Sequence, residues 1–544
     1  MAILDLLEGS LPLSLSPRLV LTLLILLLTL ILLTHLTSLY QDSQLLPLPP
    51  GPSGLPVVGN LFDILRAAKI GEQHLLFEKW ARQYGELYRV KIGPITQFMV
   101  NSDVAVKAIF DKPAGVSANR PTWLVSREHI CNNWNVLLIN ADTPRWKMQR
   151  KVTWSNVGSI PRADDGLPFL DFETLKFLHE VAHDQNVQMS GRRLWKSIMR
   201  YTYSNFATQM FGMDVPDSSD PAIEYIHETG VAQILGTLPG FFIVDILPWL
   251  DRLPLFLKPW ERNGRARFTR DLEWSVDKLN RQTAAPDRPR ESLLSKIIED
   301  EKHLGFGSKE EGVSAADTSQ ISTWSFIEAM MTYPEVQTKA QQEIDAVVGD
   351  QIPDFSDYEK IPCDTRQYYV LIYYSEPVPD LEKQRHITTA DITYNGMRIP
   401  KGSRICLNGW AVHHDPARHA DPHRFWPERY QDDVSNTMQS INIPDAQKRD
   451  HFAFGAGRRI CPGYNVAERS LAVAIMRILW AFEIKPAANA KLPLNIADWR
   501  GDFPGLAGKR MPVSMIPRGG TKINLLDEAF KVATAERPDV KHLD

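Results

Sequence analysis

Cysteine is scarce: the 544 residues hold four, Cys131, Cys363, Cys406 and Cys461. No two stand at zinc-finger spacing, and so few in so long a chain make no disulfide framework. A reducing compartment is the expected setting of the main body, so each thiol is judged singly. Charge of one sign is not in excess either. Sixty-one lysines and arginines against 65 acids leave a net charge of −4. The concentrated basic surface needed for nucleic acid is missing, so no nucleic acid is expected as a partner. Beyond Asn60 there is no internal repeat and no low-complexity block. With 44% hydrophobic and 23% charged residues, the composition is that of an ordinary folded protein.

One long hydrophobic run is present, at the start. Leu19 to Leu33 is apolar apart from two threonines. Continued to Tyr40 it reaches ~20 residues, enough to cross a bilayer as a helix. A cleaved signal peptide needs a basic start and a small-residue cleavage site. The residues before the run, MAILDLLEGS, offer neither. Residues 1–18 are thus expected as a tail and 19–40 as a retained anchor. Prolines crowd the next stretch, Pro47 to Pro56, and hold it extended, so 41–60 reads as a stiff hinge.

Beyond the hinge most segments carry helical periodicity: Gln73 to Tyr84, Asp165 to Asp184, Leu194 to Phe211, Phe268 to Gln282, Pro334 to Val348 and Val466 to Phe482. Short strands are expected at Leu87 to Ile92, Gln97 to Asn101 and Thr393 to Ile399. This predicts a mainly α protein, one large domain over 61–520 with small peripheral sheets, and a C-terminal tail over 521–544. Gly240 to Trp260 is also very apolar, but Pro248, Pro254 and Pro259 break it, and Asp245, Asp251 and Arg252 interrupt it, which bars it from spanning a membrane. Two readings stand: a loop covering the core, or a segment dipping into the bilayer interface.

Chemistry concentrates in Phe452 to Arg469, FAFGAGRRICPGYNVAER. Here Cys461 falls just before a helix N-terminus, where backbone N–H groups and the helix dipole favour a thiolate. Gly455, Gly457 and Gly463 let backbone pass close to a flat partner. Arg458 and Arg459 offer fixed positive charge to carboxylates. A cysteine before a helix is also commonly a buried hydrophobe. Thiolate, close backbone and arginine together suit a heme held by a cysteine axial ligand.

The ordered string Phe454-x-x-Gly457-x-Arg459-x-Cys461-x-Gly463 resembles the signature loop of the cytochrome P450 family. Other stretches agree along nearly the whole chain. Pro49 to Asn60 resembles the family's hinge, and Trp146-Lys-Met-Gln-Arg150 its W-x-x-x-R helix, which reaches a heme propionate. Phe425-Trp-Pro-Glu-Arg429 resembles the segment upstream of the cysteine loop, and His386 stands at another propionate-ligand position. Ser314-Ala-Ala-Asp317-Thr318-Ser319 aligns with the oxygen-activating helix. An acid beside an alcohol there delivers protons to bound dioxygen, although Asp-Thr-Ser is also good capping chemistry.

The resemblance implies the cytochrome P450 fold, heme b (iron protoporphyrin IX) with Cys461 as metal ligand, and Asp317 and Thr318 as catalytic residues. Trp146, Arg150, His386, Phe454, Gly457, Arg459 and Gly463 would bind the cofactor. It further implies a monooxygenase that takes O2 and an apolar small molecule. Electrons would come from NADPH through NADPH-cytochrome P450 reductase. Its place would be the endoplasmic reticulum membrane, single-pass, with the catalytic domain cytosolic. Arg145, Lys147, Lys151 and Arg458 would face an acidic electron donor. In style the sequence resembles fungal members of secondary metabolism.

Two departures stand against this. The apolar turns expected ahead of Ser314 are missing, which predicts a central helix short at its N-terminal end. The family's E-x-x-R helix should fall between Pro362 and His386, yet the stretch reads CDTRQYYVLIYYSEPVPDLEKQR. Glu382-Lys-Gln-Arg385 has the right letters too late, so Arg429 is expected to be a buried charge without its partners. A misread exon boundary, a frame slip or a true lesion gives this pattern. A non-catalytic protein of the same fold and a heme-thiolate isomerase or dehydratase needing no dioxygen are the alternatives.

Overall fold

The computed structural model describes residues 29, 45–213, 215–237, 241–284, 292, 319–361, 385–430, 435–449, 451–494 and 511–536. Apart from Thr29, the expected anchor at 19–40 lies outside them. Among the described residues no helix is long and apolar enough to cross a membrane.

The chain enters through α1 (Leu61–Lys69) and α2 (Gln73–Tyr84), then the hairpin of β1 (Leu87–Ile92) and β2 (Ile95–Val100). Helices follow: α3 (Pro144–Thr153), α4 (Leu167–His183), α5 (Gly191–Phe211), α6 (Pro221–Leu235), α7 (Pro259–Ala284), α8 (Ser319–Thr332) and α9 (Pro334–Val348). Short strands β3 (His386–Ile387), β4 (Ile392–Tyr394), β5 (Met397–Ile399) and β6 (Arg404–Leu407) come next. The chain closes with α10 (Tyr464–Ala481), β7 (Phe482–Pro486), β8 (Val513–Pro517) and α11 (Gly520–Glu536). Three small sheets result, β1-β2-β6-β3, β4-β5 and β7-β8. The one parallel pairing among them, β2 with β6, sets Met99 opposite Cys406.

At the centre stands α10. It is apolar nearly all round, the pattern of a helix enclosed on every side, and every residue but Val466 and Ala467 is buried. Leu471, Ile475, Ile478 and Leu479 share one core with Phe177 and Leu178 of α4, Ile198 of α5, Ile327 and Met330 of α8 and Ile344 of α9. Its two interior arginines are paired: Arg469 with Asp164 at 2.6 Å, and Arg477 with Asp171. Gln337 of α9 exchanges two bonds with the Ile484 backbone, at 2.9 and 2.6 Å, and so fixes β7 to the helical layer.

Most expected helices stand within three residues of their sequence-based ends, and four expectations are corrected. The helix expected from Phe268 begins at Pro259; a proline at the first helical position starts a helix rather than breaking one. Thr393 to Ile399 is not one strand but the β4–β5 hairpin. Its Asn395-Gly396 turn has φ of +47° and +72°, the geometry that closes a two-residue hairpin. Residues 521–536 are no tail: α11 packs on α4 and α10, with Leu526 fully buried. Arg429 is half-buried rather than buried: one nitrogen of its guanidinium donates to the carbonyls of Ala420, Asp421 and Arg424 at 3.3, 2.7 and 3.2 Å, while its Nε finds no partner among the described residues.

From Phe241 on, the apolar segment that ends at Trp260 winds through short 3-10 helices at Ile243–Asp245, Pro248–Arg252 and Leu255–Leu257. Phe241, Ile243, Trp249, Leu255, Phe256 and Leu257 are exposed, Phe256 by 71%. The segment is tied down by Asp245, whose Oδ1 accepts from the Leu124 N–H at 2.7 Å.

Candidate heme-thiolate site

The loop around Cys461 is shaped by its own backbone. The Cys461 N–H donates to the Phe454 carbonyl at 2.9 Å, and the Gly455 N–H to that of Phe452 at 2.8 Å. A single 3-10 turn, Gly457–Arg459, lies between. Two residues past the cysteine, Gly463 is the N-cap of α10. The thiol therefore does stand before a helix N-terminus, and the Gly463 N–H points at its Sγ from 3.4 Å. Burial nevertheless pushes the Cys461 thiol up, against the lowering pull of that N–H and of Arg150. The protein alone does not hold a thiolate here; a bound metal cation does so outright.

Gly457 and Gly463 differ in the room that a side chain would find within the protein itself. Gly457 has φ +65°, and a Cβ on it would lie 2.4 Å from the Phe110 carbonyl oxygen. What it admits is the Lys107–Asp111 turn, whose Asp111 Oδ1 accepts the Gly457 N–H at 2.7 Å. At Gly463 a Cβ would stand 3.9 Å from Sγ, an ordinary contact. The tightest approach to the loop comes from Gly158, where a Cβ would meet the Pro462 carbonyl oxygen at 2.2 Å. Sequence reading passed over Gly158, since a glycine near a helix end reads as an ordinary cap.

Beside the cysteine loop, cations gather without anions. On α3, Trp146 is buried with the Arg150 guanidinium 5.5 Å and that of Arg459 5.2 Å from its ring centre. Arg150 donates to the Ile460 carbonyl at 2.6 Å. Arg459 donates to the carbonyls of Ala118, Ile139 and Val136. A third guanidinium, Arg120, donates to the carbonyls of Leu137 at 2.9 Å and Arg385 at 2.7 Å. Sequence reading missed Arg120 as well, since no local motif marks it.

Among the described residues no carboxylate pairs with any of the three. Burial, then the Arg120 and Arg150 charges, push Arg459 down to about 8, with Asp142 pulling weakly the other way. Burial also lowers Arg120, to about 10. A guanidinium keeps its proton under such pressure, so the pressure measures a demand for negative charge. Two propionates would meet it. His386 belongs to the same group. Its Nδ1 lies 2.6 Å from the Ser117 carbonyl, which can only accept, so Nδ1 carries the proton. Burial, with Arg120 and Arg459, holds the ring well below its ordinary value and therefore neutral. Its Nε2 can donate to a propionate only once that negative charge has raised the ring's proton affinity.

The structure thus brings Trp146, Arg150, His386, Phe454, Gly457, Arg459, Cys461 and Gly463 together. Thiol, arginine set and stacked tryptophan fit a heme with two propionates. Asp317 and Thr318 lie outside the described residues, as do the turns ahead of Ser314 and all of 362–384, Glu382 included. Arg385 is described: it is fully buried and donates to the Thr237 carbonyl at 3.4 Å.

Comparison with known proteins agrees with this geometry. The cytochrome P450 family profile matches residues 49–498. A cytochrome P450 monooxygenase of Gibberella fujikuroi is 47% identical over 516 residues, covering 92% of this chain and 94% of that one. The cytochrome P450 monooxygenase virE of Hypocrea virens is 33% identical over 458 residues, 80% of this chain and 79% of its own. Among solved structures, a zebrafish cytochrome P450 determined with progesterone matches with a TM-score of 0.64 at 21% identity. That match spans 82% of this chain and 99% of the other, a likeness of fold. A cysteine loop set before a helix N-terminus, arginines left without a salt bridge among the described residues and these kinships agree: the chain belongs to the cytochrome P450 family, as a heme-dependent monooxygenase.

Proposed function

We propose that this monooxygenase inserts one oxygen atom of O2 into an apolar small molecule in a fungal secondary-metabolite pathway, reducing the other atom to water. Its electrons come from NADPH through NADPH-cytochrome P450 reductase. It works from the endoplasmic reticulum membrane, held by the 19–40 anchor, with the catalytic domain cytosolic. The observation that carries the chemistry is the arginine cluster beside Cys461, which no salt bridge neutralises among the described residues. When bound, the heme supplies dioxygen activation, and the Cys461 thiolate donates electron density to the iron. The chain's own part is orientation. Arg120, Arg150 and Arg459 present guanidinium N–H groups for carboxylates, and Trp146 backs two of those groups with its ring. Asp317 and Thr318 are the proposed proton donors on the oxygen side.

Membrane residence is supported by the apolar run at 19–40 and by the exposed Phe241, Trp249 and Phe256, side chains that suit a bilayer interface. Reductase docking is supported by Lys147, Lys151 and Arg458, all exposed on α3 and the cysteine loop, where an acidic partner would be steered. Arg145, the fourth basic residue considered, is half-buried and spends one N–H on the Asn133 carbonyl at 3.2 Å.

The test is the carbon-monoxide difference spectrum of the reduced protein in microsomes, followed by reductase-coupled NADPH and oxygen consumption. A thiolate-type Soret band that Cys461→Ala abolishes, together with oxygen uptake, is the expected result. A thiolate band without uptake would move the protein to the dioxygen-independent reading or to the non-catalytic one, the latter being what the displaced E-x-x-R string supports. A band that survives Cys461→Ala would overturn the ligand assignment.

A further inference from the structure

Far from the cysteine loop, α4 and α11 bring two imidazoles and a carboxylate to one point. His179 and His183 stand one turn apart on α4, so both rings lie on the same face. Asp527 faces them from α11. Its Oδ1 is 2.7 Å from His183 Nε2 and 3.7 Å from His179 Nε2, and all three ligand atoms lie within 4.8 Å of one another. The two rings sit 4.5 Å apart. Phe530, also on α11, packs against His179 at 4.6 Å and limits its rotation.

We propose that His179, His183 and Asp527 form a divalent transition-metal site, zinc by ligand class, which ties the C-terminal helix to α4. Two nitrogens and one carboxylate oxygen suit zinc, whereas calcium and magnesium prefer all-oxygen shells. Around a tetrahedral zinc the ligand atoms stand about 3.3 Å apart. The site therefore closes by opening the His183–Asp527 contact and shortening the His179–Asp527 one, each by under an ångström. His183 then takes its ring proton on Nδ1, and water fills the fourth position.

The site also has something to hold. At its start α11 is anchored through Lys522, 2.6 Å from Asp345 on α9, with Arg518 at the same distance just before it. Leu526 plugs the core in the middle. The Asp527 contact is the tie to α4 on the other face. Among the described residues one further group converges, His129, Asp251 and Glu261. There Lys258 pairs with both carboxylates and Arg265 with Glu261, so those oxygens are already engaged by cations.

The experiment uses the full-length, heme-loaded chain freed of any affinity tag, with Co2+ as spectroscopic probe and Zn2+ as competitor. A 1:1 ligand-field band that zinc displaces is expected, weakened at least tenfold in His179→Gln, His183→Gln and Asp527→Asn alike. Zinc should also slow proteolytic cleavage within α11 several-fold in the wild type and not in the variants. All three positions are partly exposed, and an unchanged carbon-monoxide spectrum verifies that each variant is folded. Equal cobalt affinity in wild type and variants, or no saturable binding below millimolar metal, would overturn the site. Specific binding without protection of α11 would overturn the tie.

Discussion

The carbonyl of Phe110 occupies the place where a side chain on residue 457 would begin, and that of Pro462 does the same at residue 158. Gly457→Ala adds a positive φ to the clash, and strain of this kind costs on the order of 1–3 kcal/mol. It should load less heme, read as a smaller carbon-monoxide difference band per milligram. Gly158→Ala, whose backbone is not in the left-handed region, should act only by pushing the Cys461 loop away, lowering the same band with a smaller loss of thermal stability. The cysteine string was legible because a cofactor loop is written in consecutive residues. Arg120 and Gly158 were not, since their roles arise from what the fold brings next to them, 265 residues away in the bond from Arg120 to the Arg385 carbonyl.

Among the elements, α11 was the one most misread. Its sequence, GTKINLLDEAFKVATAE, carries a modest apolar stripe at the end of the chain, where order is least expected. What makes it a helix with a place is the socket for Leu526 between α4 and α10. Leu526→Ala should cost roughly 2–4 kcal/mol, seen as a lower urea midpoint with the heme spectrum intact. The 241–258 segment depends on Asp245, which burial pushes up to about 6 from the ordinary 3.8. A raised carboxylate favours the folded state below its unfolded value, and that contribution is lost as pH rises through about 6. Asp245→Asn keeps the acceptor for the Leu124 N–H and drops the charge. It should stabilise by about 1–2 kcal/mol at pH 7.5, partial exposure considered. The gain should shrink as pH falls towards 4. Urea unfolding at the two pH values measures it.

Across the whole molecule, the sequence conveyed the α-rich body well, because helix α10 and its neighbours carry long apolar periodicities. It conveyed the joints poorly, since a hairpin or a helix start turns on one or two residues such as Asn395-Gly396 and Pro259. Removing residues 1–44 should shift the protein from the microsomal pellet towards the supernatant. If Phe241, Trp249 and Phe256 also touch lipid, part of it should stay bound to vesicles until those three are replaced by serine. The arginine cluster has a broader consequence. Three like charges share a half-buried corner, and among the described residues no salt bridge neutralises them, so the polypeptide alone bears a self-repulsion that propionates would relieve. A ligand that binds only the folded form stabilises it by mass action, and a chain left without it is exposed to degradation. The cellular abundance of this protein should therefore follow the host's porphyrin supply, with its message level unchanged.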